Sequence, residues 1–107
     1  MTTRTPGFRV LLPIHIPPGM EAQFQREWES FAAMVCAHPA NHGHWLMRSS
    51  TEVGVYYIGS DWADETQFRQ FEQSPEHQEQ RASLNPYRTN ASVTLLHVVR
   101  HRVGRAG

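Results

Sequence analysis

Phe8, Val10, Leu12, Ile14 and Ile16 occupy alternate positions, with Arg9, Pro13 and His15 between them, which predicts a strand with one apolar face. Pro17, Pro18 and Gly19 end it. Phe24, Trp28, Phe31 and Val35 then recur at helical spacing among Glu21, Gln25, Arg26 and Glu29, predicting an amphipathic helix from about Met20 to Cys36. His38-Pro39 closes that helix and Asn41-His42-Gly43 reads as a loop. His44 to Ser50 and Val53 to Ser60 are rich in β-branched and aromatic residues and predict a hairpin turning at Thr51-Glu52. Asp64 with Gln67 forms a capping box before a short helix carrying Phe68 and Phe71. Ser74-Pro75-Glu76 opens a further helical segment that stops by Asn85-Pro86. Ala91 to Val103 predicts a long last strand, with Val93, Leu95, His97 and Val99 on one face and Leu96 and Val98 on the other.

The order β-α-β-β-α-β is the ferredoxin-like α+β arrangement, a four-stranded antiparallel sheet with the helices on one face. Leu11, Pro13, Val55, Tyr57 and one row of the last strand are then left on the uncovered face, which predicts a homodimer formed sheet to sheet.

Composition narrows the chemistry. The 107 residues suit a single domain, with a core from about residue 8 to residue 103. Positive and negative side chains balance at ten each, so bulk attraction to nucleic acid is not expected. The charge is nevertheless lopsided, because Arg81, Arg88, Arg100, Arg102 and Arg105 follow the last acidic residue, Glu79. Every cation is Arg and Lys is absent, which removes Schiff-base chemistry and phosphate-loop lysines. Cys36 is alone, so an intrachain disulfide, a C-x-x-C redox pair and a zinc ribbon are excluded, and it reads as buried or inert. The run Val10 to Ile14, broken by Pro13, is too short for a signal peptide or a membrane span, so a soluble cytoplasmic protein without membrane association is expected.

Candidate chemistry lies in three places. His38, His42 and His44 could in principle hold a metal ion, but no acidic residue lies nearby and the plainer reading is a His-rich loop with no metal. Tyr56, Ile58 and Trp62 share one face of a strand, and His44, Leu46 and Arg48 share one face of its neighbour, which predicts a pocket walled by Trp28, Phe68 and Phe71. For those three aromatics the alternative is plain core. Arg48 either meets an anionic group in that pocket or is solvated at the sheet edge. His77 and Arg81 lie one helical turn apart, so if they face inward His77 is a candidate general base and Arg81 an anion holder; otherwise both are surface residues. His97 interrupts an apolar row and reads as an interior or interface histidine that could also touch a ligand.

Pro18-Gly19-Met20-Glu21 before a helix with Trp28, Leu46-Met47-Arg48-Ser49, the stretch Tyr56 to Trp62, and then Phe68, Phe71, Ser74-Pro75-Glu76-His77 and Leu84 together resemble the antibiotic biosynthesis monooxygenase family of dimeric α+β barrels. The resemblance runs from about Phe8 to Arg102 and is most specific between Trp62 and His77. It implies a cofactor-independent oxygenase that takes a small aromatic substrate and molecular oxygen, oxidising a polycyclic phenol or anthrone to a quinone in aromatic polyketide biosynthesis. On that reading His77, Arg48 and Tyr56 are catalytic, and Trp28, Trp62, Phe68, Phe71, Arg81, His44 and His97 bind substrate. The quinone-forming members' Asn, Tyr and His fall on Ile58, Phe68 and Arg48, and only their Trp carries over, as Trp62. Haem-degrading members' Trp, His and Asn fall on Phe71, Arg81 and Leu12, which disfavours that activity. The alternative is a binding or cyclase-like barrel that performs no oxidation.

Overall fold

The computed structural model describes residues 7–87 and 92–107. Its elements are β1 (Phe8–His15), α1 (Glu21–Cys36), β2 (Asn41–Arg48), β3 (Val55–Trp62), α2 (Glu65–Glu72), α3 (Pro75–Leu84) with a terminal 3-10 turn (Asn85–Tyr87), and β4 (Thr94–His97). The strands form one antiparallel sheet in the order β2-β3-β1-β4, the ferredoxin-like topology.

Alternation along β1 places Phe8, Val10 and Ile14 under the helices, where Phe24, Phe31 and Val35 of α1 and Phe68 and Phe71 of α2 close the core over them. Both caps form where the sequence marks them. Asp64 accepts the Gln67 backbone N–H at 2.8 Å, and the Ser74 hydroxyl accepts that of His77 at 3.2 Å beside Pro75.

The hairpin differs from expectation in its bounds. β2 starts at Asn41 because a bulge absorbs His42 between the Asn41–Trp62 and Gly43–Asp61 pairs, so the expected loop is strand. The turn is longer, because the Ser49 hydroxyl accepts the backbone N–H groups of Thr51 and Glu52, and Gly54 takes φ 79° before Val55 resumes the ladder.

The last strand is the largest departure. Ala91 lies outside the described residues, and β4 spans only Thr94–His97 rather than reaching Val103. β1 offers it partners only over Phe8–Leu11, and a final bond from Val98 N–H to the Gly7 carbonyl ends the pairing. Val99 and Val103 are exposed beyond it. Cys36 is also exposed, against expectation, because it follows buried Val35 at the end of α1 and points off the packed face.

The uncovered face of the sheet carries more than the expected Leu11, Pro13, Val55 and Tyr57. Trp45 and Met47 of β2 lie on it as well, paired across to Gly59 and Tyr57, and Leu96 extends the patch onto β4. The Met47 methyl lies over Gly59, where a Cβ would come within 2.8 Å of it and the flexible Met47 side chain would have to move. Asp61 on this face is buried and held bidentately by Arg9, at 2.7 and 2.8 Å. Among the described residues no helix is long and apolar enough to cross a membrane.

Candidate functional site

Two hollows flank His44. The inner one, about 90 Å³, lies between the sheet and the helices. Ser60 and Ile58 of β3, Phe31 of α1, Phe68 of α2 and His77 and Arg81 of α3 line it with His44. The outer one is an open groove of about 550 Å³ between α1 and β2, bounded by Trp28, Arg48, Tyr56, Gln25 and Glu29, again with His44. Cross-strand pairing explains both sets, because His44 lies opposite Ser60, Leu46 opposite Ile58 and Arg48 opposite Tyr56 on the helix-covered face.

The structure therefore separates the expected catalytic trio. His77 faces the inner hollow, with its ring packed 4.6 Å from that of Phe71 and 6.3 Å from that of Phe31. Arg81, one turn further on, lines the same hollow from an exposed position, and Glu72 borders it. Arg48 and Tyr56 belong to the outer groove. Arg48 is exposed, the solvated alternative. Tyr56 is buried, and its hydroxyl donates to Glu21 at 2.7 Å and accepts from Gln25 at 3.2 Å, so its hydrogen is already committed.

Among the expected ring-binding residues, Phe68 borders the inner hollow, whereas Trp62 and Phe71 are core beneath it. Trp62 is 1% exposed, donates its indole N–H to the Ser60 hydroxyl at 2.9 Å and packs against Phe71, which in turn supports His77. Accepting that bond leaves Ser60 its own hydrogen for a ligand. Trp28 lies parallel to His44, centroids 5.4 Å apart and planes 4° from parallel, and the pair forms the partition between the hollows. His97 is a correction. Its side chain is 69% exposed, edge-on to Phe8 and 3.3 Å from Glu65, at the sheet margin and away from both hollows. The three loop histidines diverge as well. His38 accepts the Ala40 N–H and packs on Trp62 and Phe71, while His44 turns under α1. Among the described residues no three His, Cys, Asp or Glu side chains converge on a metal-sized site.

Sequence reasoning missed Ser60, Phe31 and Glu72 as lining residues. The alternation that put Ile58 and Trp62 on one face also holds Ser60, so that signal was available; Phe31 and Glu72 depend on how the helices dock.

Both imidazoles in the inner hollow are held neutral. Burial, followed by repulsion from His77, lowers His44 to about 4. Burial and Arg81 lower His77, opposed by Glu72. The neutral form is thus favoured by folding, while the unfolded chain takes up protons below the ordinary histidine pKa of about 6.5. Stability should be fully retained above pH ~6.5 and fall as the pH drops towards 4, by about 3 kcal/mol from His44. Denaturant melts across this window check the slope. His44→Phe should flatten it, and an unchanged slope would show that His44 is not held neutral.

The inner hollow is smaller than the ~150 Å³ cavity that accepts benzene, so a polycyclic ligand is not enclosed in it as it stands and part of such a ligand extends beyond it.

The family model for antibiotic biosynthesis monooxygenases matches residues 7–83. Among curated proteins, no sequence matches this chain. Solved structures carry the same fold. A Caulobacter crescentus protein given the same family's name is 23% identical, with a TM-score of 0.75 over 89% of this chain and 92% of its own. SnoaB, a cofactor-independent oxygenase from Streptomyces nogalater, is 18% identical, with a TM-score of 0.76 over 91% of this chain and 97% of its own. A conserved protein from Methanosarcina mazei is 13% identical, with a TM-score of 0.75 over 86% and 92%. With most of its length matched by the family model, this chain belongs to the antibiotic biosynthesis monooxygenase family.

Proposed function

We propose that the protein is a homodimeric, cofactor-independent monooxygenase of the cytoplasm that oxidises a polycyclic phenol or anthrone to a quinone in aromatic polyketide biosynthesis. The observation that carries this reading is a neutral imidazole, His77, facing an apolar hollow beside the permanent cation Arg81. Family membership and the fold shared with SnoaB support it.

Triplet oxygen reacts slowly with closed-shell organic molecules but accepts an electron from an electron-rich carbanion or phenolate. His77 takes a proton from the methylene of the anthrone, and Arg81 stabilises the enolate oxygen. The enolate transfers one electron to oxygen, the resulting pair recombines as a peroxide anion, and that anion takes the proton back from His77 to give the hydroperoxide. Loss of water leaves the carbonyl, so one oxygen atom enters the product and the other leaves as water. Phe31, Phe68 and Ile58 exclude solvent around the anion. Arg81, and not the expected catalytic pair Arg48 and Tyr56, is on the His77 side of His44 and takes the anion-stabilising role.

A second reading has its own support. Ile58 and Phe68 present hydrocarbon where quinone-forming relatives carry Asn and Tyr, and this suits a barrel that binds or folds an aromatic chain without oxidising it. Aerobic incubation of chelator-treated protein with anthrone separates the two. The oxygenase consumes one oxygen per anthrone well above the spontaneous rate and yields anthraquinone. Quenching of tryptophan fluorescence with no extra oxygen uptake establishes the second reading instead.

A further inference from the structure

A set of buried polar atoms has no hydrogen-bond partner among the described residues. They are the Trp28 indole N–H, both ring nitrogens of His44 and Nδ1 of His77, all in or against the partition between the hollows, with His42 Nδ1 nearby in the chain. Buried polar groups in folded proteins are almost always paired, because each unpaired one forfeits its hydration. Elsewhere in this core the rule holds, as for Trp62 on Ser60 and Tyr56 on Glu21 and Gln25.

We propose that His44 is the specificity-determining residue of the inner hollow, and that it selects an aromatic ring bearing a hydroxyl group over the same ring bearing an apolar group of equal size. The inference rests on the reading of that hollow as a site for an aromatic substrate, and it names the substituent the substrate must carry.

The donor and acceptor inventory sets the ligand chemistry. A neutral imidazole offers one N–H and one lone pair, and an indole only an N–H. The two nitrogens point out of the ring in diverging directions, so a single ligand group meets one of them. A hydroxyl can accept from the N–H or donate to the lone pair, a carboxylate or ketone can only accept, and a hydrocarbon does neither. Neutrality follows from burial and from the neighbouring His77, so neither imidazole attracts an anion by charge. Position supports the assignment too. His44 sits opposite Ser60, whose hydroxyl still has a hydrogen to give, and its ring is held by stacking on Trp28 and a tilted contact with Phe31 rather than by a hydrogen bond. Both nitrogens thus lie unpaired at the ring edge. A ligand in the inner hollow would meet that edge, and not the ring face that stacks on Trp28, with its substituent.

The test is equilibrium binding of naphthol and methylnaphthalene, a pair that differs by a hydroxyl in place of a methyl, to wild type, His44→Phe and His44→Gln by calorimetry. Phenylalanine keeps the stack and removes both nitrogens; glutamine restores a donor and an acceptor. The affinity ratio of naphthol to methylnaphthalene should be about ten-fold higher in wild type than in His44→Phe, with His44→Gln between them. The His44 ring nitrogen signals of the wild type should shift with naphthol and hardly move with methylnaphthalene, a readout that does not depend on how the variants fold. An equal ratio in wild type and His44→Phe, ring signals indifferent to naphthol, or no binding of either compound overturns the proposal. Failure of the oxygenase reading shows differently, as intact discrimination with no oxygen consumed in the anthrone assay. Oxygen consumption with discrimination untouched by His44→Phe sinks this inference alone.

Discussion

Anthrone oxidation should fall by about two to four orders of magnitude when His77 is replaced by phenylalanine, the range associated with removing a general base. The replacement is chosen for shape. A phenyl ring retains the contacts with Phe71 and Phe31, and the capping bond to Ser74 uses the backbone of residue 77 and survives. The proton acceptor is all that is lost. Because burial and Arg81 hold the His77 pKa below its ordinary value, wild-type activity should be flat through neutrality and decline only in acid as the imidazole is protonated. Arg81→Gln should lower the rate by a different route. It removes the charge beside the enolate but also relieves His77 of a neighbouring cation, so the acid limb of the pH profile should move upward. Activity retained in His77→Phe with an unchanged profile would remove His77 from the mechanism.

How much of this site was visible beforehand depended on the range of the interactions that build it. Alternation and helical spacing are local, and they correctly set the element order, both caps and the inward face shared by His44 and Ile58. The bounds of the hairpin depended on a bulge at His42 and a turn closed by Ser49, neither of which changes the hydrophobic pattern. The last strand shows the converse. An apolar alternation from Ala91 to Val103 marks residues able to pair, but β1 supplies partners only as far as Phe8. Division of the pocket was not legible at all. Tyr56 and Ile58 point to the same side of β3, yet they line different hollows with the stacked Trp28 and His44 between these, which depends on helix docking and not on strand period. The buried alternative for Cys36 and the interior alternative for His97 fail for a related reason, since each borders an apolar row at the point where its element leaves the core.

Met47→Asp is expected to convert a dimer into monomers, the largest effect foreseen for any surface substitution. The uncovered sheet face is apolar across every strand. Trp45 and Met47 on β2, Tyr57 on β3 and Leu96 on β4 are 45%, 40%, 39% and 42% exposed, with Leu11 and Pro13 of β1 between them. Met47 and Leu11 close over Gly59 and make the centre of the patch flush. Burying such side chains contributes about 1.5 to 3 kcal/mol each before ordering costs, a large share of the stability open to so short a chain. Arg9 binds both Asp61 oxygens, so no lone charge would be buried on this face, while desolvating the half-exposed guanidinium offsets part of the gain. Since each copy presents the same surface, a twofold pairing closes on itself and leaves no apolar face in water. The segment beyond Val98, whose Val99 and Val103 are not covered by the described residues, is expected to extend over the second copy. Sedimentation equilibrium at micromolar concentration should give twice the 12.3 kDa chain mass, with an interface of about 2,000 Å² in total. An aspartate at residue 47 would bury a carboxylate beside Tyr57 without a partner, and should raise the dissociation constant at least ~100-fold, equivalent to about 3 kcal/mol. Truncation after Val98 should weaken the dimer less. A wild-type chain that sediments as a monomer and keeps its native circular dichroism on dilution would show that this face is stable in water.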